Sequence, residues 1–389
     1  MSRAILAFLL GALAACRPEP LPRVALPASE PTASEPGPTG LLRWTPRAKL
    51  PPQHPQACDL ASTPAGLFVA ASTHALEENG AGLYRLSKGA PEAVLRWNGQ
   101  GFLRVHSYGE RLFVPDADAP FGAAFFVRFD VDGYVFTLDP THPERYTREV
   151  IPAVYHVFDT ALLEGRVYAS SGAYVPGDMP YRASRAPAAL FVAEAPGKPW
   201  RRILTLPEVA KGTETGVVRF TFLQALDKGA LLAGLTDWSA TQGGDGAMRI
   251  EGLPDAPRAE RVQGLPGEVV RWARWRGNVF AITSVWGQKM LYISHDEGRS
   301  FSALSPVSDG NRLTDPQSMV ATENALYVLA DGFLFRSQDG ETFTRLTEAN
   351  QALRGGNHPL VTAPLVLHEG TLWAASPTTG DIFAALPIE

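Results

Sequence analysis

A short phrase returns seven times along this chain, and that return restricts the fold more than any other feature. It reads turn residue, aliphatic residue, aromatic or Leu, then Val or Ala. The copies are "GLFVA" (Leu67), "RLFVP" (Leu112), "RVYAS" (Val167), "ALLAG" (Leu231), "NVFAI" (Val279), "ALYVL" (Leu326) and "TLWAA" (Leu372). Successive anchors lie 45, 55, 64, 48, 47 and 46 residues apart, a period that suits a four-stranded blade rather than a solenoid turn. An apolar segment precedes each phrase and a short strand follows it, as in "GLYRLS", "MLYISH" and "FLFRSQ"; in most repeats a last strand comes next, as in "WRRILTLP" or "TFTRLTE". No window of comparable length keeps a helical period. With 36 Gly and 33 Pro to supply turns, the chain is expected to be all-β: a seven-bladed β-propeller of four-stranded blades over residues 41–389.

One discrepancy in the count is informative. The last repeat ends after its third strand, whereas "LLRWTPRAKLP" stands upstream of the first repeat with nothing to pair with. Leu41 to Leu50 is therefore expected to complete the seventh blade by pairing with Gly380 to Leu386. Closure of this kind removes the free edge that would otherwise invite association.

The first 40 residues have a different character. Arg3 precedes the apolar run Ala4 to Ala15, too short to span a bilayer but right for a secretory leader, and the run ends in "LAAC". That ending resembles the bacterial lipobox. The resemblance implies a signal peptide over residues 1–15, acylation of Cys16 as the new N-terminus, and an extracytoplasmic protein held to the cell envelope by its lipid. Arg17, rather than Asp, after the lipidated residue implies the outer membrane by the sorting rule of enteric bacteria. Residues 16–40 carry the Pro-rich "RPEPLPRVALPASEPTASEPGPTG", which cannot bury enough to offset its ordering entropy and reads as a disordered, extended spacer. The other cysteine, Cys58, then has no partner for a disulfide, and "ACDLAST" reads as a strand in which it is a small core residue.

Between the third and fourth strands of the fifth repeat lies "SHDEGRSF". It resembles the Asp-box of the sialidase-like BNR repeat families through Ser294, Asp296, Gly298, Ser300 and Phe301. The sixth repeat carries a version one residue shorter, with Ser337, Asp339, Gly340, Thr342 and Phe343, and the third keeps a remnant in Gly197 and Trp200. The chemistry is that of a turn: Ser and Asp oxygens accept hairpin amides, Gly takes a positive φ, and the aromatic ring tucks between sheets. The resemblance implies a structural role on the rim opposite an active site.

No catalytic set can be picked out. A sialidase would show an early F/Y-R-I-P signature, which is absent; the nearest strings are "RRILTLP" and "MRIEGLP". Arg219, Arg271 and Arg274 fall on innermost-strand candidates and read as solvated or loop-paired. H-E-x-x-H, C-x-x-C, G-x-S-x-G and P-loop motifs are all missing, so no metal and no cofactor is expected. Asp130 and Asp132 of "FDVDGYVF" lack the other ligands of a calcium loop and read as a Val-Asp-Gly hairpin turn. A formal charge of -5 gives no electrostatic reason to bind nucleic acid.

Loop length points to a face. Connections between second and third strands, and those between blades, share one rim, and the longest are Ser171 to Ala188 and Thr236 to Ala247. The expected binding face there comprises Tyr174, Asp178, Tyr181, Arg182, Arg185, Trp238, Asp245, Trp286, Arg354 and His358, which combine flat aromatic surface with polar groups. The reading is an envelope lipoprotein, monomeric, whose propeller binds a protein or glycan partner and meets the membrane through its lipid alone. The alternative is a sialidase-like carbohydrate-active enzyme, a glycosidase or lyase.

Overall fold

Short β-branched and aromatic runs separated by turns give seven four-stranded antiparallel sheets, each ordered first to fourth strand. The computed structural model describes residues 26–27, 36–73, 80–87, 90–117, 132–152, 154–173, 188–206, 218–237, 246–285, 287–305, 307–308, 311–355 and 360–388. All seven anchor phrases fall at the second strand of a sheet, for example Asn278–Val285 and Leu326–Ala330. The strand Leu42–Lys49 lies outermost in the seventh sheet, paired antiparallel with Asp381–Pro387 from Leu42 opposite Pro387 to Lys49 opposite Asp381. The protein is a seven-bladed β-propeller closed by its N-terminal strand.

The strand order fixes two rims. Turns joining first to second and third to fourth strands share one, here called the turn rim. Second-to-third loops and blade-to-blade connections share the other, the loop rim. Turns such as Arg276-Gly277 and Asp331-Gly332 have positive φ at both residues, the backbone twist that tight hairpins require. A two-stranded hairpin of Val307–Ser308 and Asn311–Arg312 and a 3-10 turn at Gln351–Leu353 decorate connections on the loop rim, neither expected from the sequence.

The core is divided seven ways. One apolar cluster lies between each pair of consecutive blades, as where Tyr327, Leu329 and Leu334 of blade six meet Leu365, Leu372 and Phe383 of blade seven. A corresponding layer joins blade seven to blade one through Ile382 and Ala375 against Leu50, Val69 and Tyr84. Because every sheet is covered on both sides, inner strands are buried nearly throughout, while an outer strand such as Arg201–Thr205 is largely exposed. Apolar burial between blades, at about 25 cal/mol per Å², is thus distributed around the ring instead of concentrated at a centre.

Candidate functional site

The first strands line the axis: Gln56–Thr63, His106–Tyr108, Val154–Leu163, Val218–Ala225, Glu268–Trp275, Pro316–Ala321 and Leu365–His368. Five of them slip register near the loop rim, at Ala57/Asp59, Val157/Asp159, Phe220/Leu223, Val269/Arg271 and Pro316/Ser318. A bulge inserts one unpaired residue and re-aims its side chain. Cys58, Phe158 and Phe222, all at such slips, meet in an apolar cluster on the axis with Leu103, Leu360 and Val361.

Ion pairs cross the axis in the same layer. Arg271 of blade five reaches Asp59 of blade one, with Nη1 2.7 Å from Oδ1, while Nη2 donates to the Cys58 carbonyl at 2.8 Å and Nε to Thr362 Oγ1 at 3.1 Å. The second Asp59 oxygen accepts the Val105 amide at 3.1 Å. Arg104, on the connection into blade two, donates to the carbonyl of Val270 in blade five at 2.6 Å and lies 3.6 Å from the centroid of the Phe222 ring. Beside them, His106 Nε2 is 2.5 Å from Asp159 Oδ1, and Asp159 also accepts the amides of Thr160 and Leu223 at 2.9 Å each.

Burial and charge set the ionisation here. Burial by itself would raise the Asp59 pKa, but the Arg271 and Arg104 guanidiniums and His106 outweigh it and hold the carboxyl below its usual value. Burial, with Arg271 close by, lowers Arg104 to about 10, which still leaves it charged at neutral pH. Burial pushes the Cys58 thiol up to about 12, so it is a packed core residue rather than a nucleophile. His156 is held well below its ordinary value by burial and by Arg219, and its Nδ1 meets the Ala117 carbonyl.

These positions correct the reading of the arginines. Arg271 is not solvated: it is buried, and besides its bond to Thr362 in a blade-to-blade connection it bridges from blade five to Asp59 of blade one. Arg219 is buried as well, its guanidinium 5.9 Å from the Phe158 ring centroid. Arg274 fits the expectation, pairing with Asp227 in a turn of blade four. Of the loop-rim residues expected to bind a partner, Arg354 is described: it is partly exposed and its Nε is 3.0 Å from Asp331 Oδ1. Tyr174, Asp178, Tyr181, Arg182, Arg185, Trp238, Asp245, Trp286 and His358 lie outside the described residues, as do the leader, Cys16 and Asp130. Among the described residues no group of three or more His, Cys, Asp or Glu is placed to hold a metal ion.

On the turn rim, the segment Ser294 to Phe301 closes on itself. Asp296 Oδ1 accepts the amides of Arg299 and Ser300 at 3.1 and 2.9 Å and the Ser294 hydroxyl at 2.7 Å, and Ser300 Oγ donates to Oδ2 at 2.6 Å. Asp339 repeats the pattern with the amides of Glu341 and Thr342 at 2.9 and 2.8 Å. These bonds overcome the effect of burial and hold Asp296 down at about 2. Phe301 and Phe343 insert into the clusters shared with blades four and five, respectively. In the third blade, Trp200 Nε1 and the Gly197 amide both donate to Glu149 of blade two, at 3.0 and 2.9 Å.

The DUF6242 beta propeller domain family matches residues 269–378, which span blades five and six and much of seven. No curated protein matches this sequence. Among solved structures, virginiamycin B lyase from Staphylococcus aureus superimposes with a TM-score of 0.54 at 10% identity, over 89% of this chain and 100% of that one. YCF48 from Cyanidioschyzon merolae gives 0.49 at 12% identity, covering 88% and 98%. A Trypanosoma rangeli sialidase in complex with the inhibitor DANA gives 0.43 at 12%, covering 77% and 56%. The likeness is one of fold.

Proposed function

We propose that this protein is an envelope lipoprotein, anchored through Cys16, whose loop rim binds a protein or glycan partner. The observation that carries the binding reading is the pairing of charges across the axis. Arg104, Arg271, Asp59 and Asp159 are each committed to other blades or to backbone groups, so these charges are engaged within the axial layer itself. A glycosidase would need two carboxyl groups facing a substrate across roughly 5 to 9.5 Å, one of them available as an acid. Asp59 and Asp159, two of the buried carboxylates near this level, are already occupied by a guanidinium, an imidazole and backbone amides. A layer whose charges are already paired, together with connections that are long in the sequence, suits recognition of a surface better than chemistry on a bond.

Crosslinking in intact envelopes followed by affinity purification of the full chain tests this. A reproducible envelope partner, lost when the loops 174–187 and 238–245 are shortened, supports the reading. Turnover of a glycan panel with no reproducible partner would replace it with the carbohydrate-active enzyme. Metabolic labelling with a fatty acid, abolished by Cys16→Ser, tests the anchor separately.

A further inference from the structure

In blades five and six the glycine of the closing turn is seated on the blade before it, against the residue after that blade's anchor, whereas Gly197 in the shorter remnant of blade three meets nothing within 4 Å. A Cβ added to Gly298 of blade five would lie 2.7 Å from Leu232 of blade four, and one added to Gly340 of blade six 2.9 Å from Phe280 of blade five. Leu232 and Phe280 follow the anchors Leu231 and Val279. The next seat in the series is Tyr327, which follows Leu326. Blade seven has no closing turn to fill it, because its third and fourth strands come from opposite ends of the chain.

A glycine fills it nonetheless. Gly37 lies against Tyr327 so closely that an added Cβ would be 2.4 Å from the hydroxyl oxygen, and that hydroxyl donates to the Pro38 carbonyl at 2.7 Å. The sequence agrees: Ser34-x-x-Gly37-x-Thr39 repeats the spacing of Ser337-x-x-Gly340-x-Thr342, with Pro36 where Asp339 stands. The strand register agrees too. Trp44 pairs opposite Ala385, which itself opposes the anchor Leu372; Thr344 pairs opposite Arg336, so its neighbour Phe343 comes opposite Ser337, the partner of the anchor Leu326. The chain covers seven residues from Gly37 to Trp44 where blade six uses three from Gly340 to Phe343.

We infer that residues 36–38, at the end of the Pro-rich segment, are a built-in substitute for the missing turn of blade seven, docked on the Tyr327 seat of blade six. The segment touches the turn rim a second time, where Leu26 packs on the cluster between blades two and three and Pro27 lies beside Gly109. Both contacts made by the described residues of the segment therefore lie on the turn rim. This goes beyond the binding reading and does not depend on it.

The test uses the full chain in detergent and a paired control, since a Cβ at Gly40 would meet nothing within 4 Å. Gly37→Val should lower Tm by about 2–4 °C relative to Gly40→Val. That difference should shrink in a Tyr327→Leu background, where the seat is cut back to the side chain found at Leu232. Equal melting of the two glycine variants, or a penalty that persists unchanged with Tyr327→Leu, overturns the proposal. Should Tyr327→Leu fail to fold, Thr39→Arg introduces a tryptic site beside the seat. Cleavage there should be about tenfold faster with Gly37→Val than without it, because a docked backbone must open before it is cut. Equal cleavage rates would refute docking.

Discussion

Blades five and seven close the same four-stranded sheet by different means. In blade five, eight consecutive residues turn the chain, bond to one another through Asp296, and lodge Phe301 against blade four. In blade seven, two strands 339 residues apart in sequence, from 42 to 381, do the closing, and the space of the turn goes to Gly37. What the two share is neither the aspartate nor chain continuity. It is a small residue on the preceding blade's seat and an aromatic ring at the blade interface, the two contacts that packing between sheets demands. The bonds through Asp296 only make a local turn rigid enough to deliver them.

The largest effect should follow from removing the two-chain closure. Deleting Leu41 to Leu50 takes Leu42 and Leu50 out of the layers on both sides of blade seven and bares a strand edge. Tm should fall by about 10 °C or more, or the chain should not fold; unchanged calorimetric melting would mean that closure is dispensable.

Next comes a contact across the ring rather than around it. Arg271→Met leaves Asp59 buried without its guanidinium and should cost about 3–5 kcal/mol in chemical denaturation. Adding Asp59→Leu should recover a large part of that loss; a fully additive double variant would show that the pair is not coupled.

A smaller loss, about 1–2 kcal/mol, is expected for Asp296→Ala, which strands two turn amides; the same assay on Asp339→Ala should give a similar value. If both were neutral, delivery by the rigid turn would be irrelevant and the comparison with blade seven would lose its point.

The smallest effect is on pH. The folded Asp296 pKa, about 2, lies below its ordinary 3.8, and Asp339 is depressed likewise. Their stabilisation is complete above the unfolded value and is lost as pH falls from near 4 through the folded value. Denaturation midpoints between pH 4 and 2 should therefore fall less steeply in an Asp296→Asn, Asp339→Asn double variant than in the parent.

Much of the architecture was legible because it is periodic. The anchors at Leu67 to Leu372 announce the second strands, and the orphan strand at residue 42 announces the closure, since a count of strands needs no geometry. The axial layer was not legible. It depends on bulges at Cys58, Phe158 and Phe222, which appear in the sequence as ordinary apolar residues of inner strands. Arg271 looked like a solvated arginine because its partner, Asp59, stands 212 residues away. The linker's Ser34, Gly37 and Thr39 spacing was visible in principle, but without Asp and an aromatic at the usual places it carried too little signal to stand apart from a Pro-rich spacer.

The sequence by itself determined the number of sheets, their strand order and the residues of the tight turns, all of which follow from short-range pattern and turn chemistry. Only the tertiary structure decided which charges meet on the axis and which glycine fills the seat on blade six. Those contacts join residues brought together by closing the ring, and their energies arise from burial and shape that no local stretch of the chain possesses.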